Sequence, residues 1–353
     1  CDGLVDEGAG LSDPVTHPVG RLPFFSALGD LNGDGHRDIA IANYRSATVS
    51  IIQGNGDGTF RPRVDYRTGP DPRTVALVDL NADGHQDLVL SNGSGAEVSV
   101  LIGNGNGTFQ APVGVRVGNS PRDVAAGDFN EDGLVDLAVA DAGDDTVTVL
   151  RGNGNGGLGP RTTYPTGDFP RSLAVGDLDG DGHADLAVAN ELGDSLSVLL
   201  GVGDGTFLPR VDHRVADAPR TVVLQDLDRD GHIDALLVNL GDTVSVMLGN
   251  GDATFQPRVD LQTGTRPITA AIDDFDLDGR LDVAVANTGS NSASLLFGNG
   301  DGTFRARADY PTGAGPNAVV AGDVDGDGRP DIVTADGDGD TASVLLSVCG
   351  VAD

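Results

Sequence analysis

A nine-residue acidic loop recurs seven times along this chain, and its period constrains the fold more than any other feature. The loops begin at Asp30, Asp79, Asp128, Asp177, Asp226, Asp274 and Asp323, spaced by 49, 49, 49, 49, 48 and 49 residues. A fixed period of this length marks a stacked-repeat architecture, because one such unit cannot bury its apolar face alone. Residues 1–353 therefore read as one domain of seven units, although length alone would allow two domains.

The loop is a set of regularly spaced oxygen donors. Position 1 is Asp in every copy. Position 5 is Asp34, Asp83, Asp132, Asp181, Asp230, Asp278 and Asp327, and position 9 is Asp38, Asp87, Asp136, Asp185, Asp234, Asp282 and Asp331. Position 3 is Asn32, Asn81 and Asn130 in the first three copies, then Asp179, Asp228, Asp276 and Asp325. Position 6 is always Gly, which permits the sharp turn that wraps a backbone around an ion. Such a donor set suits a hard cation taking six to eight oxygens, and Ca²⁺ is the expected ion, about seven in all. The free variation at position 7 (His36, His85, Leu134, His183, His232, Arg280, Arg329) fits a ligand that acts through its backbone carbonyl. The three Asn loops carry one charge fewer and are expected to bind more weakly. No Glu stands at position 12 and no helix follows, so this is not a helix–loop–helix calcium site. Asx-turns without an ion are the plainer alternative. They would leave three or four carboxylates repelling one another.

The loops account for 25 of the 54 acidic residues, and the formal charge is -32. Seven divalent cations, carrying 14 positive charges, would bring that to about -18. Nucleic acid and anionic membrane surfaces are therefore not expected as partners. No run of about 18 apolar residues exists, so no membrane span is expected. All 22 basic residues are Arg. The two cysteines, Cys1 and Cys349, lie at opposite ends of a ring-forming chain and read as a disulfide formed in an oxidising compartment. The competing reading makes Cys1 the lipid-modified first residue of a processed lipoprotein. Either reading places the chain outside the cytoplasm: secreted, periplasmic or on the cell surface.

Between the loops the chain reads as β-structure. In the second unit Arg73–Leu80 is an apolar run, and Asp87–Ser91 is a short strand rich in β-formers. Val98–Ile102 alternates, Gly103–Gly107 is a Gly/Asn turn, and Thr108–Val117 is an outer strand broken by Pro112. Four antiparallel strands in about 49 residues form a propeller blade, so the expected fold is all-β, a seven-bladed β-propeller. The last unit lacks an outer strand. Gly10-Leu11 aligns with Thr59-Phe60 and Val15–Gly20 with Val64–Gly69, so residues 1–20 should complete the seventh blade and close the ring.

The DxDxDGxxD loop and the Gly-Asn-Gly-Asp-Gly-Thr-Phe segments at Gly54–Phe60 and Gly298–Phe304 resemble the FG-GAP, or VCBS-type, repeat of integrin α-subunit propellers and many secreted proteins. Degenerate copies of the second segment begin at Gly103, Gly152, Gly201 and Gly249. The resemblance implies a propeller with calcium between the first and second strands of each blade and ligands on the opposite face. Adhesion receptors, a fungal lectin for N-acetylglucosamine and propellers attached to carbohydrate-active enzymes share this repeat, so it says more about fold than about function. The first expectation is a monomeric calcium-binding module for protein interaction or adhesion, and the second is a lectin. The absence of Trp weighs against sugar stacking. A polysaccharide lyase or hydrolase is the third.

Catalysis is not expected, because no nucleophilic triad or HExxH motif occurs. Four of the six histidines sit at loop position 7, and His17 and His213 share an outer-strand position with Tyr66, Tyr164 and Tyr310. On the face opposite the loops, Arg73, Arg122, Arg171 and Arg220 follow the prolines that open successive first strands, with Phe24 at the equivalent position of the first unit. These residues could recognise an anionic group. The plainer expectation is that each Arg pairs with a neighbouring acid, Asp71, Asp123, Asp168 or Asp217. The short hairpins on the same face are acidic (Asp144, Asp145, Asp194, Asp242, Asp338, Asp340) and offer a surface to a protein partner.

Overall fold

The computed structural model describes residues 9–349, which form seven four-stranded antiparallel sheets and one two-stranded pair. Blade 2 shows the pattern. Its inner strand Pro72–Val78 pairs with Asp87–Asn92, which pairs with Glu97–Leu101, which pairs with the outer strand Val113–Arg116. The outer strand is shorter than its sequence suggests. Residues 108–112 contribute only a bridge, Gly103 to Phe109, because Pro112 cannot donate to a ladder. Short outer edges also limit unwanted edge pairing.

Each second strand is fully buried, and its alternation sorts side chains between neighbouring blades. In Asp136–Asp141 (DLAVAD), Leu137 and Val139 pack towards blade 2 while Ala138 and Ala140 pack towards blade 4. Blades 1, 4 and 6 repeat this large-face, small-face arrangement. The core is thus seven clusters, each built from two adjacent blades, and no blade has a core of its own.

The ring closes as its sequence implies. Val15–Pro18 pairs with Thr341–Leu345 (Val15 opposite Val344, Pro18 opposite Thr341) and so becomes the outer strand of blade 7. Leu11 lies opposite Ser347, the place that Phe60 and Gly54 share in blade 1. Cys1 and the side chain of Cys349 lie outside the described residues, and so does the pairing expected of them.

A polar rung crosses the buried sheet. Five second strands end in Asn, and Asn43 donates from Nδ2 to Ser50 Oγ at 2.8 Å, which passes a bond to Asp65 at 2.7 Å. Blades 3 and 7 place Asp141 and Asp336 there instead. Asp141 is fully buried, accepts from Thr148 at 2.5 Å, and has its pKa pushed up to about 7 by burial. A carboxyl whose pKa is raised on folding binds more protons folded than unfolded, so its charged form opposes folding. That cost is absent below about pH 4, grows as pH rises towards 7, and is complete above it. Asp141→Asn should therefore stabilise the protein at pH 8, by on the order of 2–4 kcal/mol, and change little near pH 4. Chemical denaturation at both pH values is the check. An equal effect at both would show that packing, not charge, sets the cost.

Candidate metal centres and channel mouth

Each acidic loop joins the inner strand of its blade to the second strand, and its backbone is folded by its own carboxylates. In blade 4 Asp177 accepts from the N–H of Gly180 (2.8 Å) and Gly182 (3.0 Å), Asp179 from that of Asp181 (3.2 Å), and Asp181 from that of His183 (2.8 Å). Position 6 is left-handed in every loop (Gly182 φ 90°), as the sharp turn requires.

The Asp at position 9 does more than its expected ligand role. Asp185 is fully buried and accepts from the N–H of Leu178 (2.8 Å) and of Gly201 (2.7 Å), which binds the loop to the end of the third strand. The same staple recurs in all seven blades, with Ser347 replacing the Gly in blade 7. At Gly201 a Cβ would stand 2.4 Å from the carbonyl oxygen of Ala184, so only Gly fits against the loop there. The neighbouring blade holds the loop from the other side. Ala253 in blade 5 donates to the carbonyl of Leu178, and Gly107 in blade 2 to that of Leu31. The loops are joints between blades. At position 7, His36 lies against Gly56 of the following turn and His183 against Gly203, whereas Arg280 reaches back to Asp278 of its own loop at 3.8 Å.

Position 3 divides the loops into two classes. In the four Asp loops three carboxylates place oxygens within 4.8 Å of one another: Asp177, Asp179 and Asp185; Asp226, Asp228 and Asp230; Asp274, Asp276 and Asp282; Asp323, Asp325 and Asp331. Burial, reinforced by neighbouring carboxylates, raises Asp185 and Asp331 to about 6 and Asp282 to about 7. Repulsion of this kind is relieved by a divalent cation, and an all-oxygen donor set fits Ca²⁺. One Asp loop, in blade 6, is already met by Arg305, at 2.7 Å from Asp276 and 3.5 Å from Asp278, and in the Asn loops an amide group serves as the counter-donor. Asn32 Nδ2 donates to Asp38 at 3.1 Å, and Asn81 and Asn130 donate to Asp83 (2.9 Å) and Asp132 (3.1 Å). Burial pushes Asp30 up, but N–H donors from Gly35, Gly33, Asn32 and Asp34 outweigh it and hold the pKa below the usual carboxylate value.

At the other end of the inner strands the residues after the opening prolines ring the central channel. Phe24, Arg73, Arg122, Arg171 and Arg220 all line it, and Ile268 and Asn317 fill the remaining two places. The pairing of each Arg with a neighbouring acid is not found. Glu191 alone takes two of them, Arg171 at 2.7 Å and Arg220 at 3.3 Å. Arg73 lies over the rings of Phe24 (5.2 Å) and Tyr44 (4.9 Å), and Arg122 over Phe169 (4.9 Å). Asp71 hydrogen-bonds Ser94, and Asp123 is held one layer deeper by the N–H of Leu173 and Val124.

The acidic hairpins on this face are also engaged internally. Asp145, Asp194, Asp242 and Asp340 each accept the N–H of the residue before the next blade's first proline (Phe169, Ala218, Arg266, Leu22) at 2.7–2.9 Å. Those residues are left-handed, with φ of 51–58°, a conformation that costs energy and is held by the strap. The outer-strand aromatics also proved structural. His17 packs edge-on to Phe60 of the next blade (5.2 Å), His213 to Phe255 (5.1 Å), Tyr66 to Phe109 (5.4 Å) and Tyr164 to Phe207 (5.3 Å). Five of the seven outer strands carry a ring at this position, with Val115 and Leu261 in blades 2 and 5, and nothing in the sequence showed that four of these rings meet a Phe of the next blade.

No curated protein matches the chain. Among solved structures, BBS1N in complex with ARL6DN is similar with a TM-score of 0.67 and 13% identity, over 95% of this chain and 96% of that one. A lectin from Agrocybe aegerita that recognises non-reducing terminal N-acetylglucosamine has a TM-score of 0.57 and 21% identity, over 82% of this chain and 80% of the other. A protein from Lactobacillus plantarum has a TM-score of 0.64 and 19% identity, over 84% and 86%. At these identities the likeness concerns the fold. The FG-GAP-like repeat itself matches residues 30–90, 79–139, 128–188, 177–237, 226–285 and 274–334, each match running from one acidic loop through the next, so that the chain belongs to the FG-GAP-like repeat family.

Proposed function

We propose that this propeller is an extracellular calcium-binding module that holds a partner through adhesion or protein interaction, without catalysis. The observation that carries the cation reading is the convergence of three carboxylates within 4.8 Å in each of four loops, at the joints between blades. Asp177, Asp179, Asp181 and Asp185, with their counterparts in the other blades, would hold the ions. Millimolar extracellular Ca²⁺ suits open loops of this type. Dialysis into micromolar free Ca²⁺ followed by elemental analysis should find about four ions per chain, and millimolar Ca²⁺ should add up to three more in the Asn loops. A protein that is folded and takes up no Ca²⁺ in either buffer would refute the reading.

A second reading, a lectin, is supported by the likeness to the Agrocybe aegerita lectin. The absence of Trp weighs against it. A glycan array probed in millimolar Ca²⁺ separates the two. A specific hit that disappears in EDTA selects the lectin, and a clean negative with folded protein removes it.

A further inference from the structure

The two pairs of arginines at the channel mouth are related by exactly two repeats, yet only one pair has a carboxylate. Arg171 and Arg220 converge on Glu191. Moving back 98 residues gives Arg73, Arg122 and, in place of Glu191, Gly93. The side chain of Arg73 lies against Gly93, so close that a Cβ there would stand 2.5 Å from its Nε. The Nε atoms of Arg73 and Arg122 are buried without a hydrogen-bond partner, as is that of Arg220 in the other pair, so what distinguishes the first pair is the missing carboxylate. Their guanidinium planes are held by Phe24, Tyr44 and Phe169. A fixed, partly desolvated guanidinium pair loses little freedom on binding and favours a bidentate anion.

The channel beneath supplies the second half of a site. Its volume is about 500 Å³, within the range of pockets that enclose small organic ligands. One layer below the arginines it is lined by Thr74, Asp123, Ser172, Thr221 and Thr269. Deeper it is apolar, with Leu28, Val75, Leu173, Val222 and Ile272. The mouth is also asymmetric, cationic across blades 2–5 and uncharged across Ile268, Asn317 and Phe24. In a chain of net charge -32, four arginines sharing one glutamate are an unusual place to leave positive charge. Burial and the neighbouring guanidinium groups lower Arg122 to about 10, so it stays charged at neutral pH but gains from a new counter-ion.

We propose that the central channel binds an amphipathic carboxylate, its head clamped by Arg73 and Arg122 where Glu191 serves the other pair, and its apolar body directed into the channel. This inference does not rest on the calcium reading. It is tested by calorimetric titration of decanoate into the full chain in millimolar Ca²⁺, with acetate and decanol as the head-only and chain-only controls. Decanoate should bind, and each control should bind at least about tenfold more weakly. Gly93→Glu should push Arg73 from its present place and set a carboxylate beside the pair, weakening decanoate at least about tenfold, while Arg122→Gln should do the same by removing half of the clamp. Glu191→Gln should act in the opposite direction by releasing Arg171 and Arg220, giving tighter binding or a second equivalent. Thermal melts identify any variant that fails to fold, and the remaining variants then carry the test. The proposal is overturned if decanoate does not bind at millimolar concentration, if acetate binds as tightly, or if the folded arginine-clamp variants leave its affinity unchanged.

Discussion

On the proposal that the acidic loops hold Ca²⁺, EDTA is expected to lower the melting temperature by on the order of 10–20 °C. A ligand that binds only the folded state stabilises it by about 2.7 kcal/mol at a hundredfold excess over Kd, so four filled loops contribute on the order of 10 kcal/mol. A chain of this length shifts by roughly one to two degrees per kcal/mol, below the range for smaller domains. The effect should be large because of where the loops sit. Asp185 is bonded to the N–H of Leu178 and Gly201, while the carbonyl of Leu178 receives a bond from Ala253 of the next blade. Without a cation the repulsion among Asp177, Asp179 and Asp185 acts directly on that joint. Asp179→Asn should reproduce the chemistry of the first three loops and lose only part of the effect. Scanning calorimetry with the metal content measured in parallel is the check. An unchanged melt in protein shown to be metal-free would refute structural calcium.

Deletion of residues 1–18 is expected to abolish the folded monomer. The deletion removes the ladder from Val15–Val344 to Pro18–Thr341, the pairing of Leu11 with Ser347, and the bond from the N–H of Leu346 to Ser12 Oγ at 2.9 Å. It also leaves Val19, which packs in the cluster between blades 7 and 1, at a free chain end. The strand Thr341–Leu345 would then become a bare edge, and bare edges recruit other chains. Because every core cluster spans two blades, an opened ring loses cooperativity at both faces of the gap. Size-exclusion chromatography and circular dichroism in millimolar Ca²⁺ should show aggregation, dimers or a melting temperature at least about 20 °C lower. A monomer melting within a few degrees of the intact chain would show that the seven blades hold together without this strand.

Much of this protein is legible in its sequence because a repeat states each rule seven times. The 49-residue period, the alternation in segments such as DLAVAD and the offset of the incomplete terminal units determine blade number, strand order and ring closure. The donor spacing of the acidic loops is equally local, and so is the division between Asn and Asp at position 3. Tertiary structure decided what depends on contacts across blades, since residues about 50 positions apart carry no signal of their meeting. It turned the position 9 aspartates into staples as well as ligand candidates, and the hairpin acids into straps for the next blade. It placed His17 and His213 against phenylalanines of neighbouring blades. Above all it gave Glu191 to both Arg171 and Arg220 while leaving Arg73 and Arg122 stacked on aromatic rings. The sequence alone determines the ring because strand formation and period are local properties. Which charges neutralise one another at its centre is set by three-dimensional proximity around the channel, and only the closed ring supplies it.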